Sequence, residues 1–397
     1  MKIVLVCESF SSRLSGGKVV RYLHDILSSH GHDVRVAITS PFDEQDTWIE
    51  GGKRFIVPIP TGRRYYRRLY ALANPYDVPP DFERLLDDFA PEVVHFASFD
   101  HTKSPNLYRL CKSRNVRTVL QPWTMHFYCA QGFGYLRDKN CNRCLQGGFS
   151  TAIAQGCTDL RGAVGQLERA VMHRVVPSAA DVLLSSNVDL DQILSTYGVP
   201  REKIQYFPVA FDTRASVAAG TPTTRGDYYI YYGQAASHKG TDFLIELFSE
   251  LPDRQLRIYP MAPFSAARTL PPNIRIIPGL GWDTGLREAI AHARAVLVPS
   301  LWMTSTEYSL CEAMIMGKPV VAFDTGAHKN MLSHRETAMV VPIHDKVGFK
   351  AALDELEADP ALYDKLVAAG TARIKEINAP ERLHAQLMIA YGSASAS

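Results

Sequence analysis

No stretch of this sequence is long and apolar enough to span a bilayer, and no charge of one sign dominates it. A formal net charge of +2 over 397 residues does not by itself imply a nucleic-acid partner. No nucleic-acid-binding fold signature accompanies the basic residues either. The opening Met1-Lys2-Ile3-Val4-Leu5-Val6-Cys7 lacks the n-region and cleavage pattern of a signal peptide. No internal repeat is visible. These absences argue against a membrane-spanning or secreted chain. The expected location is cytoplasmic, with peripheral contact at the inner face of the membrane left open. In that compartment the seven cysteines are read as thiols or metal ligands before disulfides.

What is present is ordinary globular material, 46% hydrophobic and 21% charged, in a chain long enough for two domains. Ile3 to Cys7 reads as a buried strand, a helix follows from about Lys18 to Gly31, and His32 to Ile38 reads as a second strand. This βαβ opening predicts a doubly wound sheet. Gly16 and Gly17, at the start of that helix, let a backbone come close to a phosphate.

The same logic is stronger between Ala295 and Phe323. Ala295 to Val298 is an apolar run suited to a strand buried on both faces. Thr304, as N-cap, and Glu307 three residues on have the spacing of a capping box. Leu310, Ala313, Met314 and Ile315 give a helix its apolar face. Gly317 and Pro319 stop it, and Val320 begins the next strand. A strand that feeds a helix N-terminus offers backbone N–H groups and a positive dipole to an anion. A sugar nucleotide carries such an anion.

Trp302, Glu312, Ala313, Met314, Gly317, Pro319, Val320, Val321 and Ala322 fall on the pattern W-x-E-x-F-G-x4-E-A-M-x-x-G-x-P-V-V-A. The stretch thus resembles the donor-binding segment of retaining glycosyltransferases of family four. The resemblance implies an α/β chain of GT-B fold, with two doubly wound Rossmann-like domains facing a cleft. It places an acceptor-side domain at 1–212, a linker at 213–226 and a donor domain at 227–376. A final helix within 377–397 would cross back to the first domain. It also implies a nucleotide-diphosphate sugar donor, retention of configuration and no catalytic metal. Lys239 would hold the diphosphate and Glu312 the ribose hydroxyls, while Gly16 and Gly17 would face the diphosphate from the first domain. The family's Arg before Lys239 has become Gln234, and the first Glu of its E-x7-E pair falls on Thr304. Thr304, Ser305, Thr306 or Glu307 would then hold the sugar hydroxyls, and backbone N–H groups through Tyr308 the leaving diphosphate.

Three features stand apart. Cys129, Cys141, Cys144 and Cys157, spaced C-x11-C-x2-C-x12-C, supply the ligand number of a tetrahedral zinc site in an insertion at 129–157. An iron–sulfur cluster is the second choice, and a similar Cys cluster occurs in a subset of the family. Cys7, Cys111 and Cys311 belong to separate core elements. His126 lies three residues after Trp123, which takes the place of the family's cleft histidine. His126 remains a candidate to reach the acceptor or the diphosphate. Arg63, Arg64, Arg67 and Arg68, among three tyrosines in Thr61 to Tyr70, form either a solvated surface or a site for phosphates or anionic lipid.

The acceptor expected is a glycan, a lipid-linked carbohydrate or a small molecule. Three other readings remain open: a weakly active or inactive partner subunit, a nucleotide-sugar epimerase, and, last, a nucleic-acid- or membrane-binding module built around Thr61 to Tyr70.

Overall fold

The computed structural model describes residues 1–8, 10, 15–38, 49–50, 53–54, 56–58, 78, 80–97, 105–125, 127–136, 139–158, 180–216, 224–264, 266 and 269–392. The arginine-rich run at 61–70, His126 and residues 217–223 of the expected linker lie outside them. The chain divides into two compact units. One gathers the described residues of 1–134, 141–211 and 380–397; the other gathers 135–140 and 212–379.

The first unit is built on seven parallel strands: β1 (Lys2–Cys7), β2 (Asp33–Ile38), β3 (Ile56–Pro58), β4 (Val93–Ala97), β5 (Arg117–Gln121), β6 (Val182–Ser185) and β7 (Ile204–Tyr206). Their order across the sheet is β7-β6-β5-β4-β1-β2-β3. The chain therefore winds outward from β1 in one direction, then returns to β4 and winds in the other. Burial on both faces explains why β1 and β4 read as unbroken apolar runs: Ile3, Val4, Leu5, Val6, Val93, Val94 and Phe96 are all fully buried. Helix α1 (Ser15–Ser29) buries Val19, Val20, Leu23, Ile26 and Leu27 along one face. It begins earlier than the sequence predicts, so Gly16 and Gly17 lie inside its first turn.

The second unit has six parallel strands: β8 (Tyr228–Gly233), β9 (Gln255–Pro260), β10 (Ile274–Ile276), β11 (Ala295–Val298), β12 (Val320–Phe323) and β13 (Met339–Val341). Their order, β10-β9-β8-β11-β12-β13, again reverses beside its first strand. Four tyrosines in β8 are buried, and burial requires that each hydroxyl find an acceptor. Tyr229 donates to Glu357 at 2.8 Å, Tyr231 to the Gln234 carbonyl at 2.6 Å and Tyr232 to the Ser309 carbonyl at 2.8 Å. Helices α2 (Thr241–Ser249), α3 (Tyr308–Ile315), α4 (His328–Met331), α5 (Lys346–Ala358) and α6 (Pro360–Ile377) belong to this unit, as do short helices at Thr213–Ser216 and Leu286–Ala291. Lys318 is buried because its ammonium has carbonyl partners: it donates to Ala293 at 2.8 Å and to Thr224 at 2.6 Å. No helix among the described residues is long and apolar enough to cross a membrane.

After α6 the chain returns to the first unit. Helix α7 (Pro380–Tyr391) packs Leu383, Leu387, Ala390 and Tyr391 into that unit's core. Arg117 Nε of β5 donates to the Ala390 carbonyl at 2.8 Å, and Gln205 Nε2 donates to the Gln386 carbonyl at 2.8 Å. His95 of β4, wholly buried, meets the Tyr391 hydroxyl through Nδ1 at 2.9 Å. Burial pushes the His95 imidazole down to about 3, so the ring is neutral at any ordinary pH. Tyr391→Phe would leave a buried ring nitrogen without its partner. It should lower the unfolding free energy by about 1–3 kcal/mol in a urea titration, with little change in the denaturant slope.

Candidate functional site

In an open α/β sheet, ligands bind beyond the carboxyl ends of the strands where the winding direction reverses. In the second unit that point lies between β8 and β11. Three connections meet there: Gly233 to Gly240 after β8, Pro299 to Glu307 after β11, and Asp324 to Ala327 after β12. Backbone contacts stitch them together. Leu301 N donates to the His238 carbonyl at 2.9 Å, and Ala327 N to the Thr304 carbonyl at 2.9 Å. Thr325 Oγ1 donates to the Trp302 carbonyl at 3.0 Å.

Two glycines make this stitching sterically feasible. Gly240 has φ +73°, and a Cβ there would stand 2.0 Å from the Pro299 carbonyl oxygen. Gly326 has φ +50°, and a Cβ there would fall 2.4 Å from the Thr304 carbonyl oxygen. Any other residue at either position would push the loops apart.

The loops converge on one ion pair. Lys239 Nζ donates to Glu307 Oε1 at 2.9 Å, with the two side chains 18% and 7% exposed. Ser300 Oγ donates to the same carboxylate oxygen. Burial by itself would raise the Glu307 pKa. Lys239, His328 and the Ser300 hydrogen bond outweigh it and hold the carboxyl below its ordinary value. Trp302 lies under the ammonium, with Lys239 Nζ 5.1 Å from its ring centroid, and meets His238 edge to face at 5.8 Å. Burial first, then Lys239, pushes the His238 imidazole down to about 4.

This arrangement corrects the expected capping box. Helix α3 starts at Tyr308, its N-cap is Glu307, and no side chain caps it. Thr304 lies upstream in a tight turn, its N–H donating to the Trp302 carbonyl at 2.8 Å. The physical reason is competition: Lys239 and Ser300 engage the Glu307 carboxylate, so it cannot turn back to a backbone N–H. Its charge still lies at the helix N-terminus, where the dipole favours an anion.

Thr304 and Ser305 are buried, Thr306 Oγ1 approaches Met331 Sδ at 3.9 Å, and Tyr308 is partly covered. Glu312, one turn into α3, is buried close to Tyr232 and Tyr308; burial chiefly, and then Glu312 among other groups, raises both phenols. Gln234 is exposed, and its neutral amide does not replace the charge of the family's arginine.

Two residues of this cluster carry little signal in the sequence. Ser300 directly follows the β11 run, and a hydroxyl at a strand's carboxyl end is the available clue. His328 opens α4 and is fully buried; its Nδ1 donates to the Phe323 carbonyl at 2.7 Å. Nothing in its spacing distinguishes it from a core residue.

In the first unit, a Cβ on Gly16 would stand 3.1 Å from the Trp123 ring, so the indole packs on the start of α1. Gly17 beside it is buried. Cys129, Cys141, Cys144 and Cys157 are all half-buried, and no disulfide joins them. Burial, and then the other three thiols, push the Cys144 thiol up to about 11, so the four are near one another. Tyr128 lies against them, donating to the Cys141 carbonyl at 3.4 Å. Among the described residues, however, no group of three or more His, Cys, Asp or Glu side chains is arranged to hold a metal ion. The donor set suits zinc chemically, but its side chains are not drawn into a ligand shell. Cys7, Cys111 and Cys311 are buried in separate core elements.

A family model described as "Glycosyl transferase 4-like domain" matches residues 16–210, and one described as "Glycosyl transferases group 1" matches residues 226–359. A D-inositol 3-phosphate glycosyltransferase of Pseudarthrobacter chlorophenolicus is 22% identical over 215 residues, which are 48% of this chain and 50% of the relative. The chain thus spans about half the length of that relative. Among solved structures, sucrose-phosphate synthase from Thermosynechococcus elongatus superposes with a TM-score of 0.67 at 15% identity, covering 98% of both chains. Anabaena Alr3699/HepE, in complex with UDP and glucose, gives 0.65 at 11% identity, covering 99% of this chain and 100% of that one. At these identities the likeness concerns the fold. Together with the family models, it shows that the chain belongs to the group 1 glycosyltransferases, of GT-B fold.

Proposed function

We propose that this chain transfers a sugar from a nucleotide-diphosphate sugar to an acceptor, with retention of configuration and without a catalytic metal. The carrying observation is the Lys239–Glu307 pair at the carboxyl ends of β8 and β11, beside the N-terminus of α3. Lys239 would take the diphosphate as charge grows on the leaving group, helped by the N–H groups of the Thr304-to-Tyr308 turn. Glu312 would hold the ribose hydroxyls. Thr304, Ser305, Thr306 or Glu307 would hold those of the sugar. Gly16, Gly17 and His126 are proposed for the acceptor-domain side of the reaction, and Gln234 for a neutral hydrogen bond in place of the charged one. The UDP-bound neighbour supports a uridine donor as the first to test. The acceptor class stays broad: glycan, lipid-linked carbohydrate or small molecule.

One observation favours the rival reading of a weakly active partner subunit. Glu307 already neutralises the cation that the donor needs. Turnover separates the two. Release of nucleoside diphosphate from a panel of UDP-, GDP- and ADP-sugars, with the anomeric configuration of the product read by NMR, supports the transferase; donor binding without turnover supports the subunit.

Within the transferase reading, Glu312→Ala should weaken donor binding, whereas Lys239→Ala should depress turnover more than binding. The hydrogen bonds lost are to charged or polyhydroxyl groups, so about 1.5–3 kcal/mol each is expected in kcat/KM. Full activity in either variant would refute this donor site. Thr304→Glu restores the family's carboxylate. It should shift preference among sugars that share one nucleotide, measured by competition kinetics.

We also propose a structural metal at Cys129, Cys141, Cys144 and Cys157, zinc first and iron–sulfur second. The four thiols' mutual proximity supports this. Protein purified anaerobically without chelator should hold about one zinc by elemental analysis, or absorb as an iron–sulfur protein. The absence of both signals would rule the site out.

A further inference from the structure

The donor pocket carries its own anion. Glu307 occupies Lys239, the cation assigned above to the diphosphate. A diphosphate that captures Lys239 leaves behind a buried carboxylate without a counter-charge, which is strongly unfavourable in so dry a place.

One group is placed to answer that loss. His328 is only 1% exposed and feels the charges of both Glu307 and Lys239. Its Nδ1–H is committed to the Phe323 carbonyl at 2.7 Å, which leaves the lone pair of the neutral ring on Nε2. That Nε2 is buried and has no hydrogen-bond partner among the described residues. Other titratable groups among the described residues face the pair. Asp324 faces His328, while Tyr231, His238 and Cys311 face Glu307. None of these is a second fixed cation.

We propose that donor binding transfers Lys239 from Glu307 to the diphosphate, and that His328 takes a proton from solvent at Nε2 to become the new counter-charge of Glu307. The inference rests on the reading that Lys239 binds the diphosphate. In the resting protein, burial first and Lys239 as well keep the His328 imidazole below its ordinary value, while Glu307 pulls the other way. A diphosphate on Lys239 cancels the repulsion and leaves the attraction. Binding therefore takes up a proton, and affinity falls as pH rises from the lowered free-state value of His328 to its higher bound-state value, beyond which the gain is lost. His328 is a positioning residue here: it acts on the carboxylate, not on the sugar.

UDP is the probe, with GDP and ADP run beside it. Calorimetry at pH 7 in buffers of different ionisation enthalpy should show close to one proton taken up per nucleotide bound. His328→Gln and Glu307→Gln should both bring that number near zero. No uptake by the wild-type protein overturns the proposal, and so does uptake that persists in His328→Gln, which would point to His238. A second arm needs no ligand. Lys239→Met removes the cation permanently, so ring nitrogen NMR at pH 7 should report a neutral His328 in the wild type and an imidazolium in the variant. A ring that stays neutral in Lys239→Met overturns the relay. If no nucleotide binds while the ring charges in the variant, the donor reading fails and the coupling of these three residues stands.

Discussion

The second unit depends on one buried ion pair, Lys239 with Glu307, joined by the Ser300 hydroxyl. Each partner comes from a different connection at the carboxyl end of the sheet. The pair therefore does more than neutralise two charges: it ties the loop after β8 to the loop after β11. Gly240 lets the first loop pass against Pro299, and Gly326 lets the third loop pass against Thr304. Removing either partner alone would leave a buried charge and release the loops that shape the site. Coulomb attraction, close backbone approach and the helix dipole thus act at one place.

Much of this unit is legible in the residues themselves. The β11–α3–β12 segment is announced by Ala295 to Val298, by the apolar face of α3 and by Gly317 with φ +68° before Pro319. Those signals are local, and local signals survive folding. The capping box misleads for the opposite reason. Thr304 and Glu307 have the right spacing, but Glu307 is claimed by Lys239, 68 residues away in sequence. No local pattern can report a partner that distant. His328 is hidden on the same grounds, since a histidine after a turn reads as an ordinary core or surface residue. The four cysteines are intermediate: their spacing announces that they gather, and they do lie near one another without being drawn into a shell.

The two units share a winding pattern yet hold their candidate groups differently. In the first, Gly16 serves a packing contact with Trp123, aromatic ring against bare backbone. In the second, the groups are charged and paired. A neutral, closely packed surface and a charged, internally compensated one suit different duties, one shaping space and the other managing charge.

Helix α7 carries a consequence for how the polypeptide matures. It follows the second unit in the chain, yet it fills the core of the first with Leu383, Leu387 and the Tyr391–His95 contact. The second unit, whose six strands all lie within one continuous segment, can close as soon as α6 emerges from the ribosome. The first must hold an open apolar groove against β4 and β5 until the final helix is made. During synthesis the earlier-made half is thus the later to be finished, and its unfilled groove is the surface that a chaperone, or another nascent chain, meets first.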